Sequence, residues 1–279
     1  MIEVFFYKVI IRRHEKFCLR PNCCSLHLCS ATNAVFKELK LGIALCFLPL
    51  IIAILVFTLC FKLKIIHQLI AVLLGLLAVL PISFIQYFLP ELPSLGNNLI
   101  LHTLVKSLLL YGLVEELFKA LILFLLPHKI YDKNGSPDTR TESDGAGISG
   151  RLRDFLFLAF IAGLALGCFE SVVYYFDHLQ LANSRGATLL YGQIAVRIFT
   201  SDIIHMMCTG LCGLFIYSCR NKPCKVSFMV IAVLLHGIYD FFAGFSTSSN
   251  LRWFSIAVVL MAIIECRVKY TSLKNDGEE

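Results

Sequence analysis

Charge is what this sequence has least of. Asp, Glu, Lys and Arg make up 16% of its 279 residues, where an average soluble domain carries roughly 25%. A soluble fold of this length could not cover the apolar surface that 58% hydrophobic residues present. A bilayer absorbs it, so length and composition imply one membrane domain with no room for a separate soluble one. There is no internal repeat and no low-complexity tract. The N-terminal stretch is too long and too polar for a cleavable signal peptide, with no small-residue cleavage site after an apolar run. The C-terminal Asp276-Gly277-Glu278-Glu279 is not a prenylation signal. The net charge of +6 gives no reason to expect nucleic acid as a partner, because the basic residues gather at the ends of apolar runs, where they set orientation.

Those apolar runs are long enough, or nearly so, to cross roughly 30 Å of hydrocarbon at about 1.5 Å per residue. They fall at 41–60, 65–89, 99–127, 154–176, 190–218, 226–245 and 254–268, which predicts an all-α, polytopic transmembrane helix bundle of about seven spans. Tyr174, Tyr175, Trp253 and Phe254 lie at the expected helix ends, as an aromatic belt would. Pro90, Glu91 and Pro93 followed by Gly96-Asn97-Asn98 have turn composition. The expected organisation is a basic, Cys-containing segment over 1–40, a membrane domain over 41–270 interrupted by one long polar loop at 128–153, and a tail at 271–279.

Basic residues assign the two sides. Thirteen Lys and Arg lie in segments 61–64, 128–153, 219–225 and the C-terminal tail, whereas the opposite loops hold Arg185 and Arg252 only. The first side, loop 128–153 included, is expected to be cytoplasmic. Residues 1–40 conflict with this: they carry seven Lys or Arg, yet an odd number of crossings puts them outside. Either the first span re-enters or this segment is not native. Twelve cysteines are scattered along the chain, several within apolar runs where a free thiol behaves as a small hydrophobe. Cys18, Cys23, Cys24 and Cys29 cluster with His14 and His27, but their spacing matches no common zinc pattern.

An ionisable side chain at the bilayer centre costs at least roughly 2.5–3.5 kcal/mol, so each one inside a span is a functional candidate. The third run holds Glu115, Glu116 and Lys119, the fourth Glu170, the fifth Asp202 and His205, and the sixth His236 and Asp240. Glu115, His205 and His236 fall near the middle of their runs and Glu170 nearer the outer end. Four helices thus aim polar groups at a similar depth. Glu115 and Lys119 share a face at i,i+4, as do His236 and Asp240. Glu115 and Glu116 are about 100° apart around the helix, so they have different tasks. Each feature also has a plainer reading: a buried ion pair that fixes packing for Glu115/Glu116 with Lys119, a core hydrogen bond for His236 with Asp240, and a structural neighbour of His205 for Asp202. Arg197 and Lys106 are expected to snorkel to the headgroups, and His102 and Glu265 to be interfacial.

Taken together, Glu115-Glu116-x-x-Lys119, Glu170 in AGLALGCFES, His205 in HMMCTG and His236-x-x-x-Asp240 resemble the PrsW-type intramembrane proteases, within the wider group of CAAX-processing and bacteriocin-processing membrane proteases. The resemblance covers about 100–245 in motif order and spacing. It departs at Leu166, where the family has Phe, and at Ser171, where Asn is common; both read as packing changes. It implies a membrane-embedded peptidase of the bacterial cytoplasmic membrane, a membrane-anchored substrate of the anti-sigma-factor kind, and activation of water by the first Glu of the pair, here Glu115. Common rivals are absent: no HExxH (His14-Glu15 lacks the second His), no GxGD aspartyl motif and no rhomboid-like GxSx motif in a span.

Peptide hydrolysis needs a water, a base for its proton, and donors or a cation for the oxyanion. Glu115 suits the base, His205 or His236 the oxyanion or the leaving amine, Asp240 the orientation of His236, and Lys119 the ionised state of Glu116. Four ionised carboxylates, Glu115, Glu116, Glu170 and Asp240, face one lysine, an imbalance that either protonation or a bound cation relieves. His205 and His236 with Glu170 or Asp240 would make the two-His, one-carboxylate set of catalytic zinc. A metal-free glutamate mechanism and a zinc mechanism both remain open. So does another class: an ion- or proton-coupled transporter or channel uses the same buried Glu, His and Asp, though it commonly shows repeats and broken helices. The substrate's identity and the oligomeric state are not legible.

Overall fold

A computed structural model describes residues 25–88, 99–126, 148–185, 187–221, 223–245 and 249–276. The described residues are helical, with no strand among them. Helix α1 (Ser25–Phe61) begins within the segment set apart on composition. Lys62, with φ of 54° in the left-handed region, closes the short link to α2 (Ile65–Phe88). The third apolar run is not one α-helix: α3 (Leu99–Lys106) passes into a π-helical segment (Ser107–Leu113) and then α4 (Val114–Leu123). Helix α5 (Ile148–Arg185) is followed by α6 (Ala187–Phe199) and α7 (Ser201–Asn221), the last two separated only by Thr200. Helix α8 (Val226–Ala243) leads through a 3₁₀ turn (Asn250–Trp253) into α9 (Phe254–Asn275).

Among the described residues five stretches are long and apolar enough to cross a membrane: Lys40–Phe61, Ile65–Gln86, Leu152–Leu179, Thr188–Arg220 and Val226–Ala243. They coincide with five of the expected spans. The run at 99–127 is divided by the π segment, and α9 continues past the expected 268 through its charged end. His14, Cys18, Cys23, Cys24, the turn at 90–98 and loop residues 127–147 lie outside the described residues.

Helices α5 and α7 form the centre, with α2, α8 and α9 around them. Their close approach is set by small residues, as is usual where lipid removes the hydrophobic drive between helices. A Cβ on Gly163 would lie 2.5 Å from the His205 carbonyl oxygen, and one on Gly167 3.0 Å from the Asp202 Cα. The π segment meets α8 in the same way: a Cβ on Gly112 would lie 2.6 Å from the Val233 carbonyl oxygen. At one end of the bundle Arg153 lies over Phe61, Arg220 over Phe124, Phe155 beside Tyr217, and Lys225 pairs with Asp276. These contacts bring the basic segments to a single end, as the charge pattern required. The sulfur atoms of Cys219 and Cys224 come together there.

The aromatic belt holds in part. Trp253 and Phe254 are exposed, but Tyr175 is buried against Gly42 of α1, whose missing side chain makes room for its ring.

Candidate active site

Four elements carry charged groups into the centre of the bundle. Helix α4 supplies Glu115, Glu116 and Lys119, all buried. Helix α5 supplies Glu170, α7 supplies His205, and α8 supplies His236 and Asp240. Because the π segment immediately precedes α4, the local register of this run is not that of a continuous α-helix, a deviation frequent at functional sites.

Glu115 and Glu116 meet opposite nitrogens of one ring. Glu116 Oε1 approaches His236 Nδ1 at 2.7 Å, while Glu115 Oε2 lies 3.6 Å from His236 Nε2. The Glu116 contact is out of line with the ring N–H, so it is a charge contact and not an aligned hydrogen bond. Lys119 Nζ lies 2.7 Å from Glu116 Oε1 and 3.6 Å from Glu115 Oε2. It also lies 2.9 Å from His205 Nδ1. An ammonium only donates, so Nδ1 accepts and Nε2 carries the ring proton of His205. That proton is donated to Glu170 Oε2 at 2.9 Å. Each histidine thus has a carboxylate on one nitrogen, and its other nitrogen faces Glu115. Outer carboxylates of this kind set ring orientation. For His236 the nearest is Glu116, at 2.7 Å, against 3.5 Å for Asp240, the partner expected from spacing.

Glu115 Oε2 is buried without a hydrogen-bond partner. It stands 3.6 Å from His236 Nε2 and 3.9 Å from His205 Nδ1. Ligand atoms of Glu115, His205 and His236 all lie within 4.8 Å of one another. Ligands at roughly 2.0–2.1 Å from a tetrahedral ion are about 3.4 Å apart, so these donors need only a modest contraction to hold one. The carboxylate in this set is Glu115, where spacing had pointed to Glu170 or Asp240. Lys119 engages the same His205 nitrogen and must withdraw for an ion to use it.

Three further residues belong to the site. Gln86 of α2 donates from Nε2 to Glu115 Oε1 at 3.1 Å; nothing in the apolar run that holds Gln68 and Gln86 gave a sign of this. Arg197 is half-buried beside Glu170. Its guanidinium lies 4.7 Å over Tyr174, 3.8 Å from Glu170, and donates to Ser201 Oγ at 3.0 Å. Asp202 makes no hydrogen bond to His205, its neighbour in sequence; it accepts from Ser171 Oγ at 2.9 Å and so ties α7 to α5 beside Glu170.

Buried carboxylates that converge with two imidazoles inside a bundle of membrane-crossing helices mark the chain as a polytopic membrane protein with a hydrolase-type centre. Residues 64–265, most of the chain and all of these groups, match the PrsW family intramembrane metalloprotease. The chain belongs to that family and is an intramembrane endopeptidase, integral to the membrane by several passes. No curated protein and no solved structure matches it.

Proposed function

We propose that this endopeptidase cuts a membrane-anchored regulatory protein, of the anti-sigma-factor kind, in a bacterial cytoplasmic membrane, using a water that Glu115 deprotonates. The observation that carries the reading is Glu115 Oε2: a buried carboxylate oxygen with no hydrogen-bond partner, facing two imidazoles. Gln86 holds the other oxygen, which aims the free one at the space between the rings. Water placed there gives up a proton to Glu115 and attacks the scissile carbonyl. His236 faces the developing oxyanion, its position kept by Glu116 and Asp240. Glu115 then returns that proton to the leaving amine, while His205, held between Glu170 and Lys119, fixes the other side of the water site. Lys119 balances the charge of Glu116 and keeps it from competing for the water's proton.

Glu115, His205 and His236 are also the residues that would hold zinc. When bound, such an ion polarises the carbonyl and eases proton loss from water. Elemental analysis of the active protein separates the two routes: full activity with transition metals far below one equivalent leaves Glu115 acting without an ion. The reading as a whole is tested by cleavage of single-span substrates with purified protein in detergent, Glu115→Ala serving as control. Activity that survives in the control overturns the assignment of Glu115.

The basic end of the bundle is the cytoplasmic one in this reading. Cysteine introduced at Ser136 is then expected to resist an impermeant thiol reagent on intact cells, and efficient labelling would invert the topology.

A further inference from the structure

Beside the charged centre lies a cavity of about 550 Å³. Its walls are α2, α5, the π segment and, through Arg197, α6. Val79, Ile82 and Ser83 come from α2, Leu166, Phe169 and Val173 from α5, and Tyr111 from the π segment. Its polar lining includes Gln86 and Glu170, which contact Glu115 and His205 respectively. Its shape follows from local chemistry. Lower in the bundle a Cβ on Gly75 would overlap the Ala162 carbonyl, so α2 and α5 are in backbone contact there. Above that level the facing residues are Val79, Ser83 and Gln86 against Phe169 and Val173, too bulky for the same approach. Pro81, which removes a backbone hydrogen bond from α2, falls at the level where the cavity starts. The result is a crevice between two membrane-crossing helices, apolar along Val79, Ile82, Leu166, Phe169 and Val173, and polar both where it borders the active site and at Asp177 and Arg197.

We propose that this crevice is the substrate subsite: it takes one large apolar side chain of the membrane-anchored segment, and that side chain decides which peptide bond reaches Glu115. The proposal rests on the proteolytic reading above. A substrate span is made of apolar side chains, and its backbone groups must be unwound before attack. Seating a side chain among Val79, Ile82, Leu166, Phe169 and Val173 replaces the lipid contacts that unwinding forfeits. It also brings the adjoining backbone to Gln86, whose amide can hydrogen-bond a freed carbonyl. Pockets of this type discriminate by roughly 10–200-fold per methylene that is missing from the substrate, so a subsite of this volume favours Phe or Leu over Ala.

The experiment uses the full chain in detergent and a set of single-span Ala/Leu peptides through which one Phe is moved a position at a time. Products are mapped by mass spectrometry. The cut is expected to move with the Phe at a constant offset, with Phe peptides cut at least tenfold more efficiently than the Phe-free peptide. Ser83→Trp fills the crevice from α2 and Val173→Phe fills it from α5. In each, the ratio of Phe to Phe-free cleavage is expected to fall at least tenfold and the constant offset to disappear. Two fillers on separate helices guard against one of them failing to fold, which gel filtration and thermal melting detect. Cuts by the wild-type chain at one depth wherever the Phe sits overturn the subsite and leave the peptidase standing, as does tracking that persists in either folded filler. Failure of the wild-type chain to cut any peptide overturns the proteolytic reading, and the subsite with it.

Discussion

Two spans of this protein are alike in sequence and opposite in use. Lys40–Phe61 of α1 is 11% buried, and Leu152–Leu179 of α5 is 72% buried. Both are apolar enough to cross a membrane. Leu48, Ile51, Ile52, Leu55 and Leu59 of α1 are exposed, whereas Leu158, Ile161, Leu164 and Leu166 of α5 are buried. The difference lies in the small residues. Helix α5 interleaves its large side chains with Ala159, Ala162, Gly163, Ala165 and Gly167; α7 lies against Ala159, Gly163 and Gly167, and α2 against Ala162. In lipid, where apolar side chains gain nothing by leaving their surroundings, close backbone approach and polar contacts choose the neighbours. The centre of the bundle can then hold charge, because α2, α4, α5, α7 and α8 supply partners for its groups.

The largest effect expected from this division is at the charged centre. Glu115→Gln keeps shape and hydrogen bonding yet cannot accept a proton, so turnover is expected to fall about 10²–10⁴-fold while the protein still inserts and accumulates. Cleavage near the wild-type rate would sink Glu115 as base.

The same deletion made on both sides tests the division itself. Leu211→Ala on α7, at a side chain with no exposure, is expected to cost about 2–5 kcal/mol. Leu55→Ala on the outer face of α1 is expected to stay within about 0.5 kcal/mol. Unfolding in mixed micelles measures both, and equal losses would mean that α1 is not lipid-facing.

Gly163→Val is a smaller change in the opposite direction, adding atoms where α5 meets the His205 backbone. Overpacking of this kind costs about 1–3 kcal/mol, and it should also lower turnover by displacing His205. A variant with wild-type melting and activity would show that the helices have slack at that point.

The smallest effect concerns metal. Lys119→Met removes the ammonium from His205 Nδ1, and affinity for Co(II), read from its visible absorption, is expected to rise about tenfold, the lower range for outer contacts of a metal site. Unchanged or weaker binding would show that Lys119 does not compete for that nitrogen.

The sequence alone determined that the chain is a helical membrane protein, where its longer spans run, and which residues gather at mid-depth. The physical reason is cost: hydrocarbon forces spans to be long and apolar, and makes a charge such as Glu115 or His205 too expensive to place there without partners. It was also enough to turn Glu115 and Glu116 in different directions, since helical geometry separates neighbouring residues by about 100°. Only the tertiary structure decided which face of each helix meets protein. A helix that is apolar all round carries no contrast between lipid and neighbour, so Tyr175 reads as a surface residue and is buried. It also decided the partners. Gln86 reaches Glu115 across 29 residues of sequence, and Lys119 reaches His205 across 86. The π segment that resets the register ahead of Glu115 has no sequence signature; it exists where Gly112 and Gly237 let α8 press against that backbone. Spacing along one chain reports i,i+4 neighbours, and those contacts are made between helices.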